Sequence, residues 1–293
     1  MSNIPVVFLG GALLLCCAPV RAEVSSRVGD LPFPGGVADA AGDSAYVDAA
    51  TGGVEAIALD GGGVRWRALG VARPIAVAGK RVVMLSPTSR RNELRLAVAD
   101  ATTGKIERTS QSFSLPGWVS IPPARQQSFA CSATVDGERV VVYWHATAAW
   151  SQGMHPDEEQ ERAAQHEAAG AVEFALDSGK AHALTDAAPK ATGRPSLPPV
   201  VVERHRGPRM ETRDGHHVLI EEGGRWGVFS APSGKKVGDF SVGGKLSDAV
   251  VIGSRIYLER GEPRRHVQAI DLKSGSTAWE RPLAAPPTFP PLP

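Results

Sequence analysis

The stretch HVQAIDLKSGSTAWERPL, residues 266–283, decides the fold. Val267 to Leu272 has the make-up of a strand, Lys273-Ser274-Gly275 that of a tight turn, and a second strand follows that carries Trp279. The same order recurs in VEAIALDGGGVRWRAL (54–69), LRLAVADATTGKIERT (94–109), AVEFALDSGKAHAL (171–184) and WGVFSAPSGKKVGDF (226–240). Alternating apolar residues predict strands with one buried face. Gly63, Gly104, Gly179, Gly234 and Gly275 stand where a hairpin needs a residue that tolerates positive φ. Asp60, Asp100, Asp177 and Asp271 recur because each is expected to open a turn, which makes them structural residues.

Each hairpin is preceded by another strand pair, as in PIAVAGKRVVMLS (74–86), SATVDGERVVVYWHA (132–146) and DAVVIGSRIYLER (248–260). Four strands per unit, with Gly63 and Gly104 and again Gly234 and Gly275 lying 41 residues apart, is the period of a propeller blade. The expected fold is all-β: an antiparallel β-propeller of five four-stranded blades over residues 23–281, opening with a weak strand in GGVADAAGDSAYVDA (35–49). The longer middle intervals reflect an insertion at 151–170 and the Pro-rich run 188–199, and they leave room for a sixth blade.

Composition narrows the function. In 293 residues, 32 Lys plus Arg face 31 Asp plus Glu, so the net charge of +1 offers no field for nucleic acid. The apolar run Val6–Ala18 has the length of a signal-peptide core and is too short to span a bilayer, and VRA at 20–22 suits cleavage after Ala22. A periplasmic or secreted, monomeric protein is expected. Cys16 and Cys17 would leave with the leader, so Cys131 remains as one thiol without a disulfide partner. Lipidation fits poorly, because Leu15 or Cys16 would precede the modified cysteine.

AIALDGGGVRW and AIDLKSGSTAWERP resemble the repeat of the PQQ-like β-propellers, whose blades read A-x-D-x-x-T-G-x-x-x-W. Trp66 and Trp279 hold the tryptophan position, and Arg108, Ala183 and Gly238 replace it in the other units. The resemblance implies that the tryptophans dock on the neighbouring blade's Gly-containing turn. It also places the chain beside the non-enzymatic branch that serves outer-membrane protein assembly. Quinone enzymes of the family hold their cofactor beneath a disulfide of adjacent cysteines, and here that pair lies in the leader, so no cofactor is expected.

Other chemistry is sparse. His155 and His166 are too far apart along a helix to grip one ion, and His216 and His217 point to opposite faces of a strand, so no metal site is expected. Cys131 reads as a small core residue, and no nucleophile elbow is present. SQGMHPDEEQERAAQHEAAG (151–170) predicts a short helix begun near Pro156 and stopped by Gly170. Residues 204–217 form a basic loop, and 282–293 a Pro-rich tail. The function expected is a non-catalytic scaffold that binds a protein partner. The alternative is an enzyme or small-ligand binder that uses the central channel.

Overall fold

The computed structural model describes residues 26–27, 30–39, 41–121, 123, 127–148, 166–184, 197, 201, 205, 207–261 and 264–284. The leader with Cys16 and Cys17, the insertion as far as residue 165 and the tail from 285 lie outside the described residues. All the named elements are strands. After β1 (Ser26–Arg27), the strands β2 (Asp30–Phe33), β3 (Gly36–Asp39), β4 (Ser44–Asp48), β5 (Val54–Ala58) and β6 (Val64–Ala68) pair in sequence order as the first sheet.

The next strands are β7 (Ala72–Ala78), β8 (Arg81–Leu85), β9 (Glu93–Leu94), β10 (Leu96–Asp100), β11 (Ile106–Thr109) and β12 (Phe113–Ser114). The second sheet is β7-β8-β10-β11, and β9 pairs with β12. The third holds β13 (Gln127–Asp136), β14 (Arg139–Ala148), β15 (His166–Ala175) and β16 (Ala181–Leu184), with β1 added parallel to the edge of β13. β17 (Arg209–Glu211), β18 (His217–Glu222), β19 (Arg225–Ser230) and β20 (Lys236–Phe240) form the fourth sheet. β21 (Leu246–Ile252), β22 (Arg255–Arg260), β23 (His266–Asp271) and β24 (Thr277–Pro282) form the fifth. Each sheet is thus a propeller-type meander.

One turn, repeated five times, sets the register of the last two strands in every sheet. Its first residue (Ala58, Asp100, Ala175, Ser230 or Asp271) donates its N–H to the carbonyl of Gly63, Lys105, Lys180, Lys235 or Ser276 at 2.8–3.0 Å. The glycine four residues on donates back to that first residue at 2.7–2.8 Å. This glycine is Gly62, Gly104, Gly179, Gly234 or Gly275, with φ between 65° and 72°. The predicted Gly63 is therefore displaced by Gly62, because three consecutive glycines concealed the register.

Asp60 and Asp177 do not open their turns either, since Ala58 and Ala175 occupy that place. Asp100 and Asp271 do. Oδ1 of Asp100 accepts the N–H groups of Thr102 (3.0 Å) and Thr103 (2.7 Å), and Oδ1 of Asp271 accepts those of Lys273 (3.0 Å) and Ser274 (2.8 Å). The Thr103 hydroxyl (2.8 Å) foremost, with these N–H groups, holds the Asp100 carboxyl below the usual carboxylate range, and the N–H groups with the Ser274 hydroxyl (3.0 Å) do the same for Asp271.

The residue after the opening one reaches back to the hairpin of the first two strands of its four-stranded meander, which in the first sheet is counted from β3. Leu59 donates to Asp43 O, Ala101 to Lys80 O, Leu176 to Glu138 O, Ala231 to His216 O and Leu272 to Ser254 O, at 2.7–3.1 Å. Both kinds of turn therefore share one end of the molecule, here the turn end. The loops between second and third strands and the connections between sheets lie at the opposite, loop end.

Burial departs from the one-faced pattern that alternation predicts. β4, β5, β8 and β10 each bury four consecutive residues, so both of their faces are covered by neighbouring sheets. Solvent reaches mainly outer strands such as β11, which is exposed throughout. Shared apolar clusters join sheets four and five, five and one, one and two, and two and three. The first and last sheets are thus neighbours.

Two joints carry an indole. Trp66 Nε1 donates to Ala101 O at 2.8 Å with its ring against Gly104, where a Cβ would collide with it. Trp279 Nε1 donates to Leu59 O at 3.0 Å with its ring against Gly62. Around the second joint Tyr257 Oη also reaches Leu59 O (3.2 Å), Arg281 binds Gly62 O (2.9 Å) and Glu55 (3.0 Å), and Leu283 bridges Ala49. The folded chain consequently runs past the predicted tail boundary at 281, for Pro282 closes β24 and Leu283 is buried.

The predicted helix is also corrected at its end. His166 to Gly170 extend β15 and pair with Ala148 to Trp144. The indole of Trp144 lies flat against Gly170, which needs its missing side chain there. Pairing with a long partner strand overrides the helical bias of HEAAG.

At the inner edges, β1 pairs with the third sheet and β2 with the first, although the second sheet lies between them. This N-terminal ribbon crosses the space where the innermost strands converge, and Phe33 packs on Tyr257 of the fifth sheet at 5.1 Å.

Replacing Trp279 by Ala removes the ring that seats on Gly62 and leaves Leu59 O without that donor. Trp279→Ala and Trp66→Ala are each expected to cost about 3–5 kcal/mol, seen as lower urea midpoints. Asp60→Ala, outside the opening position, should leave the midpoint in place.

Candidate functional site

Charged side chains gather at the loop end near the inner edges, and they come from the first, second and fifth sheets. Asp48 ends β4, and its Oδ1 accepts the N–H of Arg73 at 2.6 Å. Arg73 is the one non-glycine with positive φ (43°) among the described residues, and it precedes Pro74, so the backbone there is strained and held by the carboxylate. Arg265, between β22 and β23, grips Glu259 through Nε (2.9 Å) and Nη2 (3.0 Å) and donates Nη1 to Ala284 O at 3.2 Å. Asp248 on β21 meets Arg213 of the fourth sheet at 2.6 Å.

Burial pushes the Asp48 carboxyl up, against the opposing pull of Arg73 and Arg265. Burial likewise pushes Asp248 up, with Arg213 opposing. The network chiefly welds sheets together. Sequence reading missed it because each member looks ordinary in its own segment, and only the fold brings residues 48, 73, 248, 259 and 265 into reach of one another.

Five histidines stand beside carboxylates, among them His182 at 3.5 Å from Glu173. His145 meets Glu167 at 2.8 Å, His205 meets Glu222 at 2.8 Å, His217 meets Asp214 at 3.0 Å and His266 meets Glu280 at 3.4 Å. Among the described residues no three His, Cys, Asp or Glu side chains are grouped as metal ligands. His155 lies outside the described residues. Cys131 is buried at 2% exposure on β13, and burial raises its thiol above the ordinary value. That environment disfavours the thiolate a nucleophile needs.

The repeat residues named from sequence are spread over the five sheets. Gly104 sits under Trp66, Gly62 rather than Gly63 sits under Trp279, and Gly179 lies against Arg108 while its carbonyl oxygen accepts the Gln111 N–H at 2.8 Å. Register identifies the tryptophan position in each sheet. Trp66 opposes Ala56, Trp279 opposes Ala269, Arg108 opposes Val98, Ala183 opposes Val172 and Gly238 opposes Val228. Where that residue is Gly238, a groove of about 320 Å³ opens between sheets four and five.

No family model matches the chain, and no curated protein matches it. Among solved structures it is similar to BamB from Moraxella catarrhalis, at 15% identity over 91% of this chain and 64% of that one, with a TM-score of 0.25. The β-propeller domain of Cps50 (Swd1) from Myceliophteria thermophila matches at 13% identity over 86% and 68%, with a TM-score of 0.28. Quinohemoprotein alcohol dehydrogenase from Comamonas testosteroni matches at 10% identity over 90% and 44%, with a TM-score of 0.29. The chain thus spans 64% of the BamB structure and less than half of the dehydrogenase. Among the described residues no helix is long and apolar enough to cross a membrane.

The raised carboxyls set a pH signature. A buried acid whose folded pKa lies above its unfolded value favours folding below the unfolded value, and that contribution is lost as pH rises through the folded one. Asp48→Asn keeps an acceptor for Arg73 N–H and removes the buried charge, and Asp248→Asn does the same beside Arg213. Relative to the unsubstituted protein, each variant should gain urea resistance at pH 7 compared with pH 4.

Proposed function

We propose that the chain is an exported, monomeric, non-catalytic scaffold built as a five-bladed β-propeller, and that it binds a protein partner in the cell envelope through its loop end. The observation that carries this reading is the N-terminal ribbon. A channel enzyme presents open inner strands to a ligand, whereas here β1 and β2 lie along those strands on the first and third sheets. The chemistry at the inner edge is largely spent on itself: Asp48 on Arg73, Glu259 on Arg265 and Asp248 on Arg213.

The loop end is built for display. β13, β14 and β15 run ten residues each, so a long arm of these three strands reaches toward the loop end. The insertion is carried at the tip of this arm, between Ala148 and His166, which are paired across it. Both ends of the folded chain leave at the same end, since β1 runs parallel to β13 and β24 finishes beside Ala49. Leu69, 71% exposed, adds an apolar contact point there.

A second reading, a small ligand held at the loop-end mouth of the channel, draws on the two buried carboxyls Asp48 and Asp248 and their raised pKa values. Stoichiometric quinone or metal in the purified protein would favour it and overturn the scaffold.

The test is affinity capture from native envelopes with the intact chain and with a deletion of residues 151–165, which spares the paired part of β15. Loss of a co-purifying protein on deletion is the expected result, and unchanged recovery removes the insertion from the interface. Export predicts that the envelope protein begins at Glu23 when its N-terminus is sequenced.

A further inference from the structure

We infer that the five sheets form a stack that opens between the third and the fourth, and that the N-terminal ribbon is the strap that holds this opening shut. The shared apolar clusters link the sheets in the order four, five, one, two, three. The stack thus ends on the third and fourth sheets, which follow one another in sequence, and among the described residues no apolar cluster joins them. Both are finished as ends. β13 and β14 bury alternate residues, in contrast with β4, β5, β8 and β10, and the buried ones, such as Cys131 and Val142, face the second sheet. The other face of the third sheet is polar and partly open to water. His145, 42% exposed, binds Glu167 there, Ser128 shares a hydrogen bond with Thr147, and His182, 58% exposed, stands beside Glu173. On the fourth sheet Leu219 packs toward the fifth, while Val218 and Ile220 on the opposite face are covered by Leu197 and Val201 of the connection. Polar faces regain in water most of the hydrogen bonds they lose, so a joint without shared apolar surface has little to hold it. The connection restrains it weakly as well, running from Leu184 to Arg209 where the others run from Ala68 to Ala72, Ser114 to Gln127 and Phe240 to Leu246.

The ribbon supplies the restraint that this joint lacks. β1 pairs with Ala133 and Thr134 of the third sheet, and two residues later β2 begins its four pairs with β3 of the first. Phe33, at the far end of β2, is fully buried in the cluster that joins the first and fifth sheets, against Tyr257. The ribbon is therefore a short chord from the last sheet of the stack to its middle, and it limits how far the third sheet can swing from the fourth. Two pairs at β1, against four pairs and a buried ring at β2, make β1 the end that lets go. Because β13, β14 and β15 carry the arm and the insertion, release of β1 moves the surface displayed at the loop end. The strap acts in this way whatever the molecule binds.

The test is a pair of distances, measured by electron resonance on the full chain with spin labels on non-canonical residues. Lys105, Lys180 and Lys235 each follow the turn glycine in the second, third and fourth sheets, and all three are exposed. The pair Lys180 and Lys235 spans the opening, and the pair Lys105 and Lys180 spans the apolar joint between the second and third sheets. Ser26→Pro together with Arg27→Pro removes the N–H groups through which β1 can pair. In this variant the first distance is expected to lengthen or broaden by more than about 2 Å, the scale that separates rearrangement from rigid packing, while the second stays as in the unsubstituted chain. Inserting about eight Gly and Ser residues, a flexible spacer, between residues 28 and 29 keeps both strands and lengthens the strap, and the same shift is expected. If the proline variant fails to fold, the insertion decides. A first distance that does not move in a folded variant, or an equal shift of both distances, overturns the inference.

Discussion

The interaction on which the rest depends is the indole of Trp279 on the Gly62 turn. It joins residues 220 positions apart in the chain, through a 3.0 Å hydrogen bond to Leu59 O. That carbonyl also receives Tyr257 Oη and Arg255, so one backbone oxygen of the first sheet gathers three side chains from the fifth. The donors are aimed at an acceptor that a tight turn fixes, and the turn can approach the ring only because Gly62 has no side chain. Each sheet alone would leave four-stranded faces in water. Stacked, the strands β4, β5, β8 and β10 bury both faces, and the hydrophobic gain belongs to the joints as much as to the sheets.

The repeat was legible because it has a local cause. A six-residue turn closed by two backbone bonds demands positive φ at its fifth position, and that demand leaves a glycine in all five copies. The same logic misled where glycine was abundant: GGG at 61–63 gave no clue to which one bears the strain, and aspartates two residues late were read as openers. Tertiary facts left weaker traces. Alternation suggested one covered face, but burial of both depends on which sheets are neighbours. HEAAG reads as helix until the length of β14 is known.

The charged network at the loop end illustrates the limit from the other side. Asp48 lies in YVDAA and Arg265 in PRRH, stretches with no motif and no shared spacing. Their meeting follows from sheet five lying beside sheet one, which no local rule contains. The groove at Gly238 lies between these cases. Its existence depends on the fold, yet the departure from tryptophan at a repeat position was visible in the sequence as an irregularity.

The closing contact also governs timing. Trp279 and Leu283 are synthesised after the strands of the four earlier sheets, and until they arrive the Gly62 turn and the faces of the first sheet that belong to this joint stay uncovered. Neighbouring sheets one to three can already bury their shared clusters by local steps, whereas the joint between sheets five and one must bring together residues 220 positions apart, a slow, high-contact-order event. A chain interrupted shortly before residue 279 would hold nearly all of its strands and still expose an unclosed apolar seam, open to capture by a chaperone or by another copy of itself.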